Sequence, residues 1–427
     1  MDLSIEGKAF VKGNFVDCCI GVKDGKISEI KKILKADNHI NFGKKLIIPS
    51  GIDSHVHFRD PGMTHKEDFK SGSLAAAFGG ISCFFDMPNT IPQTNNIRAL
   101  SDKIISAEKK SYVDFGIYAG VDRNNIKEIM SLSKFCSGFK IYLGDSTNAL
   151  RIDNKNLKEI LKIISKTNKT VLFHAEDEEI LSKYGSIENN IFEHLQNRPS
   201  VCEESAIKKI FQASYGLNVK CHICHLSSIE GLELLKSRPN NITCGVTAHH
   251  SLLSVNNKIK PETFLKVNPP IRSDFDKEAI FNSIQIGLID ILESDHAPHT
   301  IDEKKKDFSF APSGVPGVET TFPMFLFLAK KEKLSFQRLI DVMCEKPAEL
   351  LGISKGKIEV GKDADFIVID LKAETKIDSD GLHSKCGWTP FEGWSAIFPS
   401  HVFVRGEKVI EGNEIQVSQG FGKFVED

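Results

Sequence analysis

Asp53-Ser54-His55-Val56-His57-Phe58-Arg59 follows the apolar run Leu46-Ile47-Ile48 and the turn Pro49-Ser50-Gly51. The run predicts a buried strand, with His55 and His57 near its end. Strand side chains alternate between two faces, so both imidazoles project to the same side. Neutral imidazole is the commonest metal ligand in proteins. The stretch therefore predicts half of a metal site, although a His-x-His pair by itself is equally compatible with two ordinary loop histidines.

Apolar segments with strand character recur along the middle of the chain, and helical patterns separate most of them. This alternation predicts an α/β fold, a (β/α)8 TIM-type barrel. The main alternative is a doubly wound open sheet, but its glycine fingerprint is missing after the first strand. The candidate strands are residues 46–52, 81–86, 115–119, 139–143, 171–174, 219–225, 242–247 and 289–294, and the clearest helical patterns are 67–78, 156–165, 203–213 and 228–235.

The two ends of the chain differ from this middle part. Both contain short strands separated by tight turns such as Lys12-Gly13-Asn14 and Lys23-Asp24-Gly25-Lys26. A chain of 427 residues also exceeds the size that one core usually reaches. We therefore expect a small β-sandwich domain built from residues 1–48 and 357–427, and a barrel formed by residues 49–356.

Composition narrows the function class. Contents of 41% hydrophobic and 26% charged residues are typical of a soluble globular protein. A net charge of −2 gives no electrostatic reason to expect nucleic acid or an anionic membrane as partner. The N-terminus lacks the pattern of a signal peptide, so we expect a cytoplasmic protein whose ten cysteines are reduced.

Further ligand-type residues lie at the ends of later strands. Lys140 lies in the fourth strand, whereas His174, His225 and Asp295 end the fifth, sixth and eighth. Active sites of barrels gather at the carboxyl ends of the strands, so these residues can converge with the histidine pair. A lysine that faces a barrel interior must be neutralised, paired or modified, because an unpaired buried ammonium is costly.

Cys221-His222-Ile223-Cys224-His225 matches the C-x-x-C-H pattern of haem attachment. The absence of an export signal argues against haem. The segment has strand character, and simple alternation predicts that His225 shares a face with Cys221 and that His222 and Cys224 share the other. Residues 300–316 form the longest irregular piece, which we interpret as a mobile loop over the site.

Several longer motifs carry a resemblance to known enzymes. The histidine pair with Lys140, His174, His225 and Asp295 resembles the binuclear metal site of the amidohydrolase superfamily. Nearly the whole chain is similar to one of its families, the dihydroorotases. The motifs that carry this similarity are His57-Phe58-Arg59-Asp60-Pro61-Gly62, Asp86-Met87-Pro88-Asn89-Thr90, Asn268-Pro269-Pro270-Ile271-Arg272, Ser294-Asp295-His296-Ala297-Pro298-His299 and Gly361-Lys362-Asp363-Ala364-Asp365.

The resemblance implies two Zn²⁺ ions per subunit. By this analogy His55, His57 and Asp295 hold the first ion, and His174 and His225 hold the second. Lys140 would bridge them after carboxylation by carbon dioxide, which turns a cation into an anion. Some dihydroorotases use an aspartate a little further along instead, so Asp145 stays open as the bridging ligand.

The resemblance also implies an activity, the reversible hydrolysis of (S)-dihydroorotate to N-carbamoyl-L-aspartate in pyrimidine (UMP) biosynthesis. Asp295 would act as general base and then general acid. The planar guanidinium of Arg59 suits the substrate carboxylate. In the family, Asn89 and His299 bind the same carboxylate, whereas Asn268 and the backbone of Pro316 and Gly317 bind the pyrimidine edge.

Two alternatives remain at this stage. Hydantoinases, dihydropyrimidinases and allantoinases share the metal ligands but open rings that lack the carboxylate, so the set of Arg59, Asn89 and His299 argues against them. A non-catalytic relative kept for assembly is the other, but such proteins usually lose metal ligands. The family also suggests a homodimer or association with aspartate transcarbamoylase as quaternary arrangements.

Overall fold

The computed structural model describes residues 1–144, 150, 152, 156–185 and 187–425. The chain begins with four strands of a mixed sheet and continues into eight strands of a parallel sheet. The first four are β1 (Leu3–Val11), β2 (Asn14–Lys23), β3 (Lys26–Lys31) and β4 (Asn38–Pro49), and the next eight are β5 (Gly51–Val56), β6 (Ile81–Asp86), β7 (Asp114–Gly120), β8 (Gly138–Tyr142), β9 (Val171–His174), β10 (Cys221–Ile223), β11 (Ile242–Thr247) and β12 (Ile291–Glu293).

The parallel strands form a barrel. β5 to β12 pair in chain order, and their residues are almost all buried, as expected for strands that helices cover on the outside. The ring closes between its first and last strands, where Val56 bridges His296 and the His57 amide donates to the His296 carbonyl at 2.8 Å. The prediction of a (β/α)8 barrel is confirmed.

A helix follows each barrel strand, and side chains of Asp, Asn and Ser start several of these helices. Asp68, Asn96, Ser228 and Ser273 each accept a hydrogen bond from a backbone amide of the first turn. The helices are α1 (Phe69–Phe78), α2 (Ile97–Lys110), α3 (Ile129–Leu132), α4 (Leu157–Ile164), α5 (Glu178–Leu181), α6 (Ile191–Asn197), α7 (Ser200–Ser214), α8 (Ile229–Leu235), α9 (Ala248–Leu252), α10 (Asp274–Gln285), α11 (Ile301–Lys304), α12 (Thr321–Lys330), α13 (Phe336–Ile340) and α14 (Lys346–Leu351).

The boundary of the first barrel strand differs from the sequence prediction of residues 46–52. Leu46 to Pro49 belong to β4 and pair with a C-terminal strand, whereas the barrel strand starts only at Gly51. The apolar run is buried in either sheet, so hydrophobicity alone cannot separate the two strands. Ser50 marks the transition.

Both termini contribute to the second sheet, as predicted. The C-terminal strands are β13 (Phe366–Ile369), β14 (Thr375–Lys376), β15 (Ser395–Ala396), β16 (His401–Val404), β17 (Glu407–Glu411) and β18 (Glu414–Ile415). Hydrogen bonds join the strands into one mixed sheet in the order β18-β17-β16-β13-β4-β1-β2-β3, with β14 and β15 forming a separate pair. The mixed sheet has its own apolar cluster, which includes Ile5, Ile20, Ile47, Phe366 and Phe403.

Part of the C-terminal region lies against the carboxyl end of the barrel rather than in the mixed sheet. The Trp388 indole donates to the His299 carbonyl at 2.8 Å, and the Ser384 hydroxyl donates to Glu67 at 2.5 Å. Lys385 pairs with Asp68 at the start of α1. We call residues 383–388 the C-terminal strap. Among the helices that the structure describes, none is long and apolar enough to cross a membrane.

A buried charge cluster links the mixed sheet to the opposite end of the barrel. The Lys355 ammonium lies 2.7 Å from Asp114 of β7, 2.7 Å from Asp365 and 3.1 Å from Asp363. Its side chain is only 2% exposed. Burial alone would lower the pKa of Lys355, but the carboxylates around it raise the pKa above its usual value.

We expect Lys355→Met to destabilise the protein by about 3 kcal/mol, because the substitution leaves buried carboxylates without their cation. Urea unfolding would measure the free energy. Lys357→Met is the matched control, since the Lys357 side chain is 32% exposed and its surface pairs with Glu345 and Glu349 contribute less than ~1 kcal/mol. Equal stabilities of the two variants would contradict the structural role of the cluster.

Candidate active site

The predicted first set of ligands meets at the closure of the barrel. His55 lies in β5, and His57 is the first residue after the end of that strand. Their Nε2 atoms lie 3.3 Å and 3.1 Å from the same Asp295 Oδ1 atom. Asp295 follows β12, the strand that closes the ring against β5. Barrel closure thus brings the first three predicted ligands together.

The second pair of predicted ligands lies beside the first. His174 ends β9, and its Nδ1 atom is 3.2 Å from Nε2 of His225, which follows β10. The rings of His55 and His225 are 5.2 Å apart, so the two sets are neighbours. Ligand atoms of His55, His225 and Asp295 all lie within 4.8 Å of one another.

Lys140 lies in β8 and is fully buried. Its ammonium donates to the Cys224 thiol sulfur at 3.1 Å and lies 5.3 Å from the centre of the Tyr142 ring. Both Lys140 and the four histidines line the same cavity. Asp145, the alternative bridging ligand, is outside the described residues, so the choice between the two remains a prediction.

Simple alternation gave the wrong face for His225. β10 ends at Ile223, and His225 has a backbone φ of +37°, which turns its side chain into the site together with Cys224. Asp295 and Arg59 also have positive φ values, +44° and +60°. This conformation costs roughly 1–2 kcal/mol per non-glycine residue. Such strain is typical of functional sites, where the surrounding structure enforces it.

Polar groups behind the histidines orient the rings. Glu176 accepts from His174 Nε2 at 2.8 Å, and Asn89 Oδ1 lies 2.7 Å from His57 Nδ1. Glu293 Oε1 accepts from the His225 amide at 2.6 Å and faces His55 Nδ1 at 3.5 Å. Groups of this kind fix the orientation of metal-binding imidazoles. No sequence motif marked Glu176 or Glu293 as part of the site, although Glu293 lies two residues before Asp295.

Burial sets the ionisation of the cluster. It lowers the pKa of His57 to about 3 and also lowers the pKa values of His174 and His225. Burial acts in the opposite direction on Asp295, but His55 and His57 outweigh it and keep the pKa of that carboxyl well below its usual range. Neutral imidazoles beside an ionised carboxylate are the donor set that binds zinc and similar divalent metals. The residues therefore fit the binuclear metal site.

The site opens into a cavity of about 310 Å³. Arg59 Nη2 lies 3.3 Å from His299 Nε2, and Arg59 Nε donates to the Pro298 carbonyl. The side-chain oxygen of Asn268 is buried and has no hydrogen-bond partner among the residues that the structure describes. The cavity thus unites four of the predicted substrate-binding residues, Arg59, Asn89, Asn268 and His299, with the ligand cluster.

The other two predicted substrate-binding residues, Pro316 and Gly317, are not among the described residues that line the cavity. Within the described part of the chain, Pro312, Ser313 and Gly314 form this section of the cavity wall. The Gly317 amide donates to His296 Nδ1 at 3.1 Å. A direct role for Pro316 and Gly317 in substrate binding stays a prediction.

The segment 300–316 contains regular structure that the sequence did not indicate. It contains α11, and the fully buried Lys304 ammonium donates to the carbonyls of Pro312 and Gly314 at 2.9 and 3.0 Å and of Lys266 at 3.2 Å. The ammonium also lies 5.5 Å from the Trp388 ring. Lys304 therefore ties the cavity wall to its neighbours, in a segment that the sequence indicated as irregular.

Comparison with known proteins agrees with this geometry. The family model described as "Amidohydrolase family" matches residues 46–409. A curated relative named dihydroorotase from Methanosarcina acetivorans is 39% identical, over 95% of this chain and 91% of its own length. Another of the same name from Thermoplasma acidophilum is 40% identical, over 100% of this chain and 98% of its own.

Solved structures show the same architecture. L-Hydantoinase (dihydropyrimidinase) from Arthrobacter aurescens superposes with a TM-score of 0.95 and 30% identity, and all of each chain is covered. A dihydropyrimidinase from Brevibacillus agri gives a TM-score of 0.91 at 22% identity, over 100% of this chain and 98% of that one, which shows the fold. The chain therefore belongs to the amidohydrolase family, and within it to the dihydroorotases.

We expect Glu293→Gln to weaken metal binding by about 10- to 100-fold, because the neutral amide polarises His55 less and changes the contact that holds His225. Competition with a chromophoric chelator would measure the zinc affinity. Glu233→Gln removes an equal charge from a side chain that is 59% exposed and should leave the affinity unchanged. A wild-type affinity in Glu293→Gln would show that Glu293 has no role in holding the ligands.

Proposed function

We propose that this protein hydrolyses the cyclic amide of (S)-dihydroorotate reversibly to N-carbamoyl-L-aspartate, a step of pyrimidine (UMP) biosynthesis. One observation carries the proposal: the cavity places the Arg59 guanidinium and His299 beside the imidazole cluster. A substrate with both a ring amide and a carboxylate fits such a cavity. The names of the curated relatives support the same substrate.

Two Zn²⁺ ions fit the donor set. His55, His57 and Asp295 would hold one, His174 and His225 would hold the other, and Lys140 carboxylated by carbon dioxide would join them. Bound there, a pair of divalent metals would lower the pKa of water and polarise the amide carbonyl. The burial of Lys140 without an aspartate or glutamate within ion-pair distance among the described residues supports its conversion to an anion.

Asp295 is the residue that moves the proton. Its carboxylate lies between the two imidazoles of the first set and stays ionised at neutral pH. It can accept a proton from the attacking water and deliver it to the amide nitrogen that leaves the carbonyl carbon. In the reverse direction the same carboxylate removes a proton from the ureido nitrogen as the ring closes.

Substrate orientation rests on residues around the cavity. Arg59, Asn89 and His299 would bind the ring carboxylate, with Arg59 supplying charge and paired donors. The unpartnered Asn268 oxygen is available to an N–H of the ring, and the backbone of Pro316 and Gly317 would complete this contact. These residues position the amide carbonyl against the imidazole cluster.

The alternative within the superfamily is hydantoinase or dihydropyrimidinase activity. These are the activities named for the structurally similar Arthrobacter aurescens enzyme. Ring opening of dihydroorotate and dihydrouracil by zinc-loaded protein separates the two, because the substrates differ only in the carboxylate. We expect turnover of dihydroorotate alone. Turnover of dihydrouracil would contradict the proposal.

Arg59→Ala tests directly whether Arg59 binds the substrate carboxylate. We expect it to lower kcat/KM for dihydroorotate by at least ~100-fold, since a charge-assisted bidentate contact is lost, while zinc content stays at the wild-type value. Metal analysis of the same preparation serves as the control. Loss of zinc in Arg59→Ala would place Arg59 in support of the ligands instead.

Lys140→Ala tests the bridging ligand. We expect zinc binding and activity to fall together, by more than ~100-fold in activity, because the two sites lose their common anion. Asp145→Ala is the comparison variant. Wild-type zinc content in Lys140→Ala, coupled with loss of zinc in Asp145→Ala, would assign the bridge to Asp145.

A further inference from the structure

His299 of the cavity wall has a lysine partner that the mechanism above does not use. Lys66 lies in the loop between β5 and α1, with its side chain 13% exposed. Its ammonium is 3.1 Å from His299 Nδ1 and 2.9 Å from Glu303. Glu303 itself is 3.8 Å from His299 Nδ1, beyond hydrogen-bond distance. Lys66 is therefore the partner of this ring nitrogen.

Two contacts define which nitrogen of His299 carries the proton. An ammonium can only donate, so Nδ1 must present its lone pair to Lys66. On the other side of the ring, Nε2 lies 3.0 Å from the Ser313 carbonyl, which can only accept. Burial lowers the pKa of His299, the nearby Glu303 carboxylate raises it, and the charges of Arg59 and Lys66 lower it further. The pKa is about 3 as a result, so the ring has a single proton at neutral pH. That proton is on Nε2.

The Nε2–H group has a second donor beside it. Arg59 Nη2 is 3.3 Å from His299 Nε2, and a guanidinium nitrogen has no lone pair to offer. Two donors at this distance favour a shared acceptor between them. An incoming carboxylate oxygen supplies it by replacing the Ser313 carbonyl as the acceptor of the Nε2–H, but only while Nε2 keeps its proton. In the other tautomer, the Nε2 lone pair would face the anion.

We propose that Lys66 is a positioning residue, which holds His299 in the tautomer whose Nε2–H binds the substrate carboxylate. The proposal rests on the proposed function, since it assumes a carboxylate at this place. Within the described part of the chain, the Lys66 ammonium contacts His299 and Glu303 and not the imidazole cluster. Its effect should therefore fall on substrate binding rather than on the chemical step.

Steady-state kinetics of Lys66→Met with dihydroorotate tests this role. We expect KM to rise roughly tenfold, the equivalent of one hydrogen bond to a charged group, and kcat to stay within about threefold of wild type. Lys66→Arg keeps a donor and should recover most of the affinity. Lys70→Met removes an exposed lysine at the second residue of α1 and should leave both constants unchanged.

Three results would overturn the proposal: an unchanged KM in Lys66→Met, a fall in kcat without a rise in KM, or an equal effect of Lys70→Met. Failure of Lys66→Arg to improve on Lys66→Met would do the same, because a donor at Nδ1 would then be irrelevant.

A binding measurement separates this proposal from the proposed function. Orotate has the carboxylate that uracil lacks, and calorimetry with both probes needs no turnover. A tenfold loss of orotate affinity in Lys66→Met, with uracil binding unaffected, supports the role of Lys66 even if wild-type protein fails to hydrolyse dihydroorotate. Equal orotate affinity in both proteins overturns the role of Lys66 even if the wild type is an active dihydroorotase.

Discussion

Closure of the parallel sheet between β5 and β12 is the constraint on which the site depends. The bond from the His57 amide to the His296 carbonyl lies directly beside the two histidines and the aspartate of the first ligand set. Predicted ligands that are some 240 residues apart in sequence therefore become neighbours as a result of strand pairing. The remaining predicted ligands lie on β8 and β9 and just after β10, so a ring of strands, rather than flexible loops, sets the distances between them.

Many polar groups are buried together at the carboxyl end of the barrel, and each needs a partner to offset its loss of contact with water. Glu293 faces His55 and accepts a hydrogen bond from the His225 amide. Glu176 accepts from His174 and also pairs with Arg198. Positive φ values at His225 and Asp295 add strain at the same place. The hydrophobic core and the buried charge pairs, such as Lys355 with its carboxylates, stabilise the fold enough to tolerate this local cost.

The barrel and most of the cluster could be predicted from the sequence because they depend on local patterns. Apolar runs mark the strands, and ligand-type residues at their ends mark the rim. Other features depend on contacts between distant segments. The division of residues 46–52 between two sheets follows from pairing with β13, and the direction of the His225 side chain follows from a backbone turn after β10. Nothing in the sequence indicates that Lys304 is buried, because only the folded loop shows the three carbonyls around it.

The C-terminal strap has a consequence for the order in which the protein is made. Trp388, Ser384 and Lys385 contact the loops after β12 and β5, and β4 pairs on one side with β1 and on the other with β13. A nascent chain that has emerged only as far as the last barrel strand lacks the partners of both the strap and the mixed sheet. The cavity wall around His299 can thus reach its final form only once translation has passed residue 388, so a chain cut short by a ribosome stall does not yield a finished enzyme.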